Sequence, residues 1–170
     1  IPMRPFFILS ILALCLISGG LSRSNAASKS EIRQARAAEK TFLEKNKSRE
    51  GIATTRSGLQ YEILVKGDSD QLPRPKDVIE IHYHGTLTDG TVFDSSLMRG
   101  QTMDIRLWDV IPGWVEGIKL MSPGDKYRFY IPSNLAYGSK GNGVIPKYTV
   151  LIFEIELVAL KEKTRGKRKK

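Results

Sequence analysis

The sequence predicts an α+β fold, in which a mostly antiparallel β-sheet is covered by one short helix and preceded by a separate amphipathic helix. Apolar residues recur at helical spacing near the N-terminus, then switch to a period of two from Leu59 onward. Within the strand-like half, only the stretch from about Gly113 to Met121 returns to a helical pattern.

The first helix is read from Ser28-x-x-Glu31, which has the form of a capping box, followed by Ile32, Ala35, Ala38, Phe42 and Leu43. It runs from about Glu31 to Lys45, and its apolar stripe fits either its own domain or a second copy of the chain. Asn46 to Ser57, with Gly51 and Gly58 nearby, reads as a linker. Leu59, Tyr61, Ile63 and Val65 then alternate with polar residues as a strand. A loop from Gly67 to Lys76, containing Pro73 and Pro75, leads to a strand at Val78 to Leu87. Asp89-Gly90 supplies a hairpin turn into Thr91-Val92-Phe93. Met103–Leu107, Lys126–Ile131 and Val150–Leu160 complete the strands. Pro112 opens the short helix and Ser122-Pro123-Gly124 ends it. A sheet with one covering helix places Trp114 between the two layers.

The 170 residues suffice for one domain with extensions. Met3 and Arg4, the apolar run Phe6 to Ile17 and the small residues Ser24-Asn25-Ala26 read as a secretory signal over 1–26. The run is shorter than the roughly 20 apolar residues of a bilayer span, which favours a cleaved signal over an anchor. The expected layout is a signal (1–26), helix and linker (27–56), one domain (57–161) and a basic tail (162–170), in a secreted or extracytoplasmic protein. The single cysteine, Cys15, falls inside the signal, so the mature chain has no disulfide, thiolate nucleophile or zinc–cysteine site.

The formal charge is +9, but 161–170 carries seven basic residues against Glu162 and leaves the body close to neutral. That distribution argues against a nucleic-acid-binding face. The tail reads either as a solvated end or as a weak contact for anionic surfaces.

Phosphate-binding glycine loops, G-x-S-x-G and H-E-x-x-H are absent. His82 and His84 share one strand face without a third ligand at a matching position, which favours a solvated face over a metal site. Asp94, read alone, is a turn residue bonded to local backbone rather than a catalytic base. Tyr83, Phe93, Met103, Val110, Ile111, Trp114, Tyr137, Ile145 and Phe153 each read singly as core. Several fall at strand ends beside the glycine-rich segment 136–143, which together suits a shallow apolar pocket.

Val78–Ser96 (VIEIHYHGTLTDGTVFDSS), Val110–Gly124 (VIPGWVEGIKLMSPG) and Ile131–Leu157 (IPSNLAYGSKGNGVIPKYTVLIFEIEL) resemble the FKBP family of peptidyl-prolyl cis-trans isomerases. The resemblance covers about Ser57 to Lys161. Phe42–Asn46 through Gln60-Tyr61 is similar to the secreted subgroup named after macrophage infectivity potentiator. The resemblance implies a sheet half-wrapped around the short helix, with a proline peptide entering between them. It also implies isomerisation of Xaa-Pro bonds without a cofactor or metal, on folding or host proteins, and binding of macrolide inhibitors such as rapamycin and tacrolimus.

By motif position, the catalytic set is Phe93, Asp94, Trp114 and Tyr137, with Trp114 as the floor under the proline ring. Asp94 and Tyr137 match the polar side chains that face ligand carbonyls or hydroxyls, and Arg99 matches an arginine that orients the aspartate. Tyr83, Val110, Ile111 and Phe153 match pocket walls, the Ile111 N–H matches a donor to a ligand carbonyl, and Val144 and Ile145 match the rim flap. Met103 stands where an aromatic is common and should soften that wall. The loop at Gly141-Asn142-Gly143 is one residue shorter than in the best-known members and lacks their rim histidine, so no role is carried over to Asn142. The first helix is short beside the dimerisation stalk of the subgroup, so a monomer is expected. The alternative reading is a non-catalytic module or chaperone that holds proline peptides. A third is an adhesin for anionic surfaces acting through Lys161–Lys170.

Overall fold

The computed structural model describes residues 28–161, so the signal segment and the basic tail lie outside the described residues. Helix α1 spans Lys29–Lys47, two residues longer at each end than its apolar stripe indicates. Its start is fixed by the capping box: the Ser28 side chain accepts from the Glu31 N–H at 3.2 Å, and the Glu31 carboxylate accepts from the Ser28 N–H at 2.6 Å.

The stripe of α1 packs on its own domain. The Phe42 ring lies 6.2 Å from that of Tyr130. Buried Asn46 donates to Gln60 Oε1 at 2.8 Å, and Gln60 Nε2 donates to the Leu43 carbonyl at 2.9 Å. Ala38 is exposed, because the packed face runs through Ile32, Ala35, Glu39, Phe42 and Asn46. Two of those five are polar, which hides the face from a purely apolar reading.

Among the described residues seven strands follow: β1 (Ala53–Thr54), β2 (Gln60–Val65), β3 (Val78–Thr86), β4 (Val92–Ser95), β5 (Met103–Arg106), β6 (Lys126–Ile131) and β7 (Leu151–Lys161). They form one sheet in the order β1-β2-β6-β7-β3-β4, with β5 also on β3 and every pairing antiparallel. Strand β1 lies in the expected linker; two residues are too few to show a period. At the far end of β2, Ile63 and Val65 are each 52% exposed, so its alternation continues past the core. The register with β6 slips between these two residues.

Helix α2 spans Pro112–Ile118. It ends before Met121 because the chain tightens there: the N–H groups of Leu120 and Met121 donate to carbonyls three residues back, Gly117 and Ile118, each at 3.0 Å. Its glycines face the sheet. A Cβ on Gly117 would lie 2.6 Å from the Phe129 ring, and one on Gly113 would collide with the Ile131 side chain. Backbone therefore rests directly on β6 side chains, and Trp114, Ile118 and Met121 join Ile79, Ile81 and Ile155 in the core. Asp125 fixes the exit of this segment. Its wholly buried carboxylate accepts from the N–H groups of Ser122 and Gly67 and from Lys66 Nζ, each at 2.8 Å.

Gly117→Ala tests the close approach. Helix propensity alone favours alanine by about 1 kcal/mol, whereas overpacking against Phe129 costs about 1–3 kcal/mol. The expected outcome in urea is a lower midpoint with an unchanged slope; a higher midpoint would mean that α2 is not in contact with Phe129.

Candidate active site

A cavity of about 670 Å³ opens where β3, β4 and β7 meet the N-terminus of α2. Its shape begins with a residue that lacks a side chain. On β3, a Cβ at Gly85 would fall 2.7 Å from Phe153 and 2.8 Å from Phe93, so glycine there lets these rings from β7 and β4 meet across the strand. They meet edge to face, with centroids 5.3 Å apart and planes at 89°. Phe153 in turn meets Trp114 at 4.9 Å and 82°, and Tyr83 meets Trp114 at 5.2 Å and 73°. Each such contact contributes about 0.5–1.5 kcal/mol beyond area burial. The four rings thus hold one another in place.

Trp114 is 6% exposed, and its Nε1–H is buried without a hydrogen-bond partner among the described residues. A buried orphan donor costs about 1–3 kcal/mol. The indole is held by apolar packing within the core and also lines the cavity.

Val110 and Ile111 form the cavity wall where the chain enters α2. Ile111 is the residue before the helix, and its carbonyl accepts from Trp114 at 3.0 Å and Val115 at 3.2 Å, which ties that wall to the floor. Met103 contributes from β5 and is 40% exposed. On the opposite side Tyr137, Val144 and Ile145 come from the loop between β6 and β7. Reciprocal backbone bonds of 2.9 Å between Asn142 and Ile145 close that loop, with buried Ile145 in the cavity and Val144 projecting at its rim.

The polar side of the cavity is a closed triangle. The Tyr83 hydroxyl donates to Asp94 Oδ2 at 2.6 Å, Arg99 Nη1 donates to Asp94 Oδ1 at 2.5 Å, and Arg99 Nη2 donates to the Tyr83 oxygen at 2.7 Å. Asp94 is therefore engaged by two side chains from elsewhere, which a reading of its local turn does not reveal. Arg99 is not itself part of the cavity lining and reaches it through Asp94 and Tyr83. Burial opposes ionisation of Asp94, but the Tyr83 hydroxyl and the Arg99 guanidinium outweigh it and hold the carboxyl below its usual range. Burial, with Asp94 beside it, raises the Tyr83 phenol above its usual value. At neutral pH the pair is a carboxylate and a neutral phenol.

The cavity thus gathers every motif-matched residue except Arg99, and adds Asp109, Asn142 and Gly143. Asp109 adjoins Val110 in sequence, the one signal that could have found it. His82 and His84 lie on the opposite face of β3, each ring nitrogen beside a serine hydroxyl: Ser96 at 3.1 Å and Ser95 at 3.0 Å. Among the described residues no three His, Cys, Asp or Glu side chains cluster so as to hold a metal ion.

Comparison with known proteins gives a consistent result. Residues 69–158 match the family model described as FKBP-type peptidyl-prolyl cis-trans isomerase. Residues 17–63 match the domain found amino-terminal to it. The chain is 47% identical over 121 residues to the FKBP-type peptidyl-prolyl cis-trans isomerase FkpA of Aeromonas hydrophila, covering 71% of this chain and 45% of that protein. It is 36% identical over 166 residues to the macrophage infectivity potentiator of Trypanosoma cruzi, covering 95% of this chain and 85% of that one. The crystal structure of FkpA from Escherichia coli superposes with a TM-score of 0.73 at 37% identity, covering 78% of this chain and 62% of the other. Against FkpA of Aeromonas, then, the chain spans about half the relative's length.

The Asp94 carboxyl carbon, followed by NMR, is expected to titrate below the ordinary value of about 3.9. Arg99→Met should move that titration upward, since it removes the charge that favours the carboxylate. An Asp94 midpoint at or above the ordinary value in the unsubstituted chain would contradict the triangle.

Proposed function

The chain belongs to the FKBP-type peptidyl-prolyl cis-trans isomerase family, and from that premise we propose that it accelerates rotation about Xaa-Pro bonds in the cavity floored by Trp114. The observation that carries this reading is the aromatic box, in which buried Trp114, Phe153 and Tyr83 and half-buried Phe93 hold one another edge to face. Such a box accepts the compact, apolar ring of proline and replaces the water around the adjoining amide.

The chemistry needs no nucleophile. The barrier to amide rotation is about 18–20 kcal/mol because twisting breaks resonance. Water favours the planar, charge-separated amide, so an apolar site that holds the peptide lowers the cost of twisting. A thousandfold acceleration requires about 4 kcal/mol, and a neutral hydrogen bond supplies about 0.5–1.5 kcal/mol. Tyr137 alone is therefore too little; the walls Phe93, Val110, Ile111 and Phe153 must exclude water around it. Asp94, held ionised by Arg99, gives the site a fixed dipole that needs no proton exchange during turnover.

In the same reading the substrates are exposed proline segments of folding or host proteins, and macrolides such as rapamycin and tacrolimus occupy the cavity as inhibitors. Residues 1–26 act as a secretory signal, 27–56 as helix and linker, 57–161 as the isomerase domain and 162–170 as a basic tail, in a secreted or extracytoplasmic monomer. The composition of the two terminal segments supports their assignment, and the packing of the α1 stripe on its own domain supports the monomer.

Relaxation of a short Leu-Pro peptide from cis to trans tests the proposal. The chain is expected to accelerate it, rapamycin to abolish the effect, and Phe93→Ala to lower kcat/KM by about tenfold or more as water enters through the missing wall. No acceleration, with rapamycin still quenching tryptophan fluorescence, would instead identify a module that binds proline peptides without turnover.

A further inference from the structure

The loop that carries Tyr137, Val144 and Ile145 over the cavity hangs between two posts. One is Ser133, at the start of a single 3-10 turn (Ser133–Leu135) after β6. Its carbonyl accepts from the Ala136 N–H at 3.0 Å and the Gly138 N–H at 2.8 Å, the residues on either side of Tyr137. The other is Tyr148, whose N–H donates to the Gly138 carbonyl at 2.9 Å. Tyr148 has a φ of +54°, the only left-handed value at a non-glycine among the described residues. A bulky residue keeps that conformation only where its surroundings fix it.

Both posts are gripped by α1. Glu39 Oε1 accepts from the Ser133 N–H at 2.6 Å, and its Oε2 accepts from the Ser133 hydroxyl at 3.0 Å. Arg36, three residues earlier and so on the same face of the helix, donates to the Tyr148 hydroxyl at 3.0 Å. Its guanidinium also stands 4.5 Å from the centre of the Tyr148 ring. The helix is anchored elsewhere, by Phe42 on Tyr130 and by Asn46 on Gln60, so it does not depend on the loop for its own position.

We propose that α1 is a working part of the site, with Glu39 and Arg36 as positioning residues that set the rim loop, and through it Tyr137 and Ile145, above Trp114. Neither residue lines the cavity; each acts through a loop post. The activity measured below rests on the isomerase reading, whereas the positional claim stands on the loop itself.

Glu39→Ala and Arg36→Met in the full chain, with Glu39→Gln as the conservative control, test it by two readouts. Amide hydrogen exchange of segment 134–148 is expected to quicken by about tenfold in Glu39→Ala and Arg36→Met, while segment 112–120 around Trp114 stays unchanged. At a temperature where all variants are folded, kcat/KM for the Leu-Pro peptide should fall by about three- to tenfold in both. Glu39→Gln, which keeps an acceptor for the Ser133 N–H, should retain at least about half of the unsubstituted value. Unchanged exchange in 134–148, or kcat/KM within about twofold of the unsubstituted chain while only thermal stability drops, would overturn the proposal. If the unsubstituted chain shows no acceleration, the isomerase reading fails, and exchange alone decides the role of α1.

Discussion

Gly113 and Gly117 let α2 rest its backbone against Ile131 and Phe129, closer than any residue with a side chain permits, and this contact determines where Trp114 stands. From that position the indole meets Phe153 and Tyr83 edge to face, and Phe153 meets Phe93 through the gap left by Gly85. Small residues at three points thus create an aromatic cluster that larger residues would push apart. The cavity is an outcome of how the helix packs, and its floor belongs to the core of the fold. The same side chains pack the core and line the cavity, so a substitution there acts on both.

The polar edge follows a different logic. Asp94, Tyr83 and Arg99 satisfy one another, with both carboxylate oxygens engaged by side chains from neighbouring segments. A partly exposed ion pair such as Arg99–Asp94 contributes little to stability. Its effect here is orientation and charge state, because it keeps the carboxylate fixed and ionised beside an otherwise apolar surface. A site built from such parts offers a substrate a pre-set environment without proton exchange, which suits a reaction that breaks no covalent bond.

The strand order of the chain was legible because alternation and turn residues are local signals: Leu59 onward, Val78 to Leu87 and the Asp89-Gly90 turn all correspond to observed elements. The short helix was legible from Pro112, though its end was not, since the tightening at Leu120 and Met121 depends on the exit turn anchored by Asp125. The cavity walls were legible through ordered motifs, whereas composition alone placed each of them in the core. The side-chain partners of Asp94 were not legible in isolation because they lie 11 residues back and 5 residues ahead. The role of the α1 face was hidden for a similar reason. Glu39 and Asn46 look like solvent residues until Ser133 and Gln60 are brought against them from far along the chain.

In the proposed reaction an environment, and no transferred proton, lowers the barrier to rotation. Exchange between the cis and trans forms of a Leu-Pro peptide, measured by magnetisation transfer in H2O and in D2O with catalytic amounts of the chain, tests it most directly. Faster exchange with a solvent isotope ratio close to unity is expected, since in the proposed reaction neither Asp94 nor Tyr83 gives up a proton in the rate-limiting step. A ratio of about two or more would contradict it and identify a general acid or base in the site.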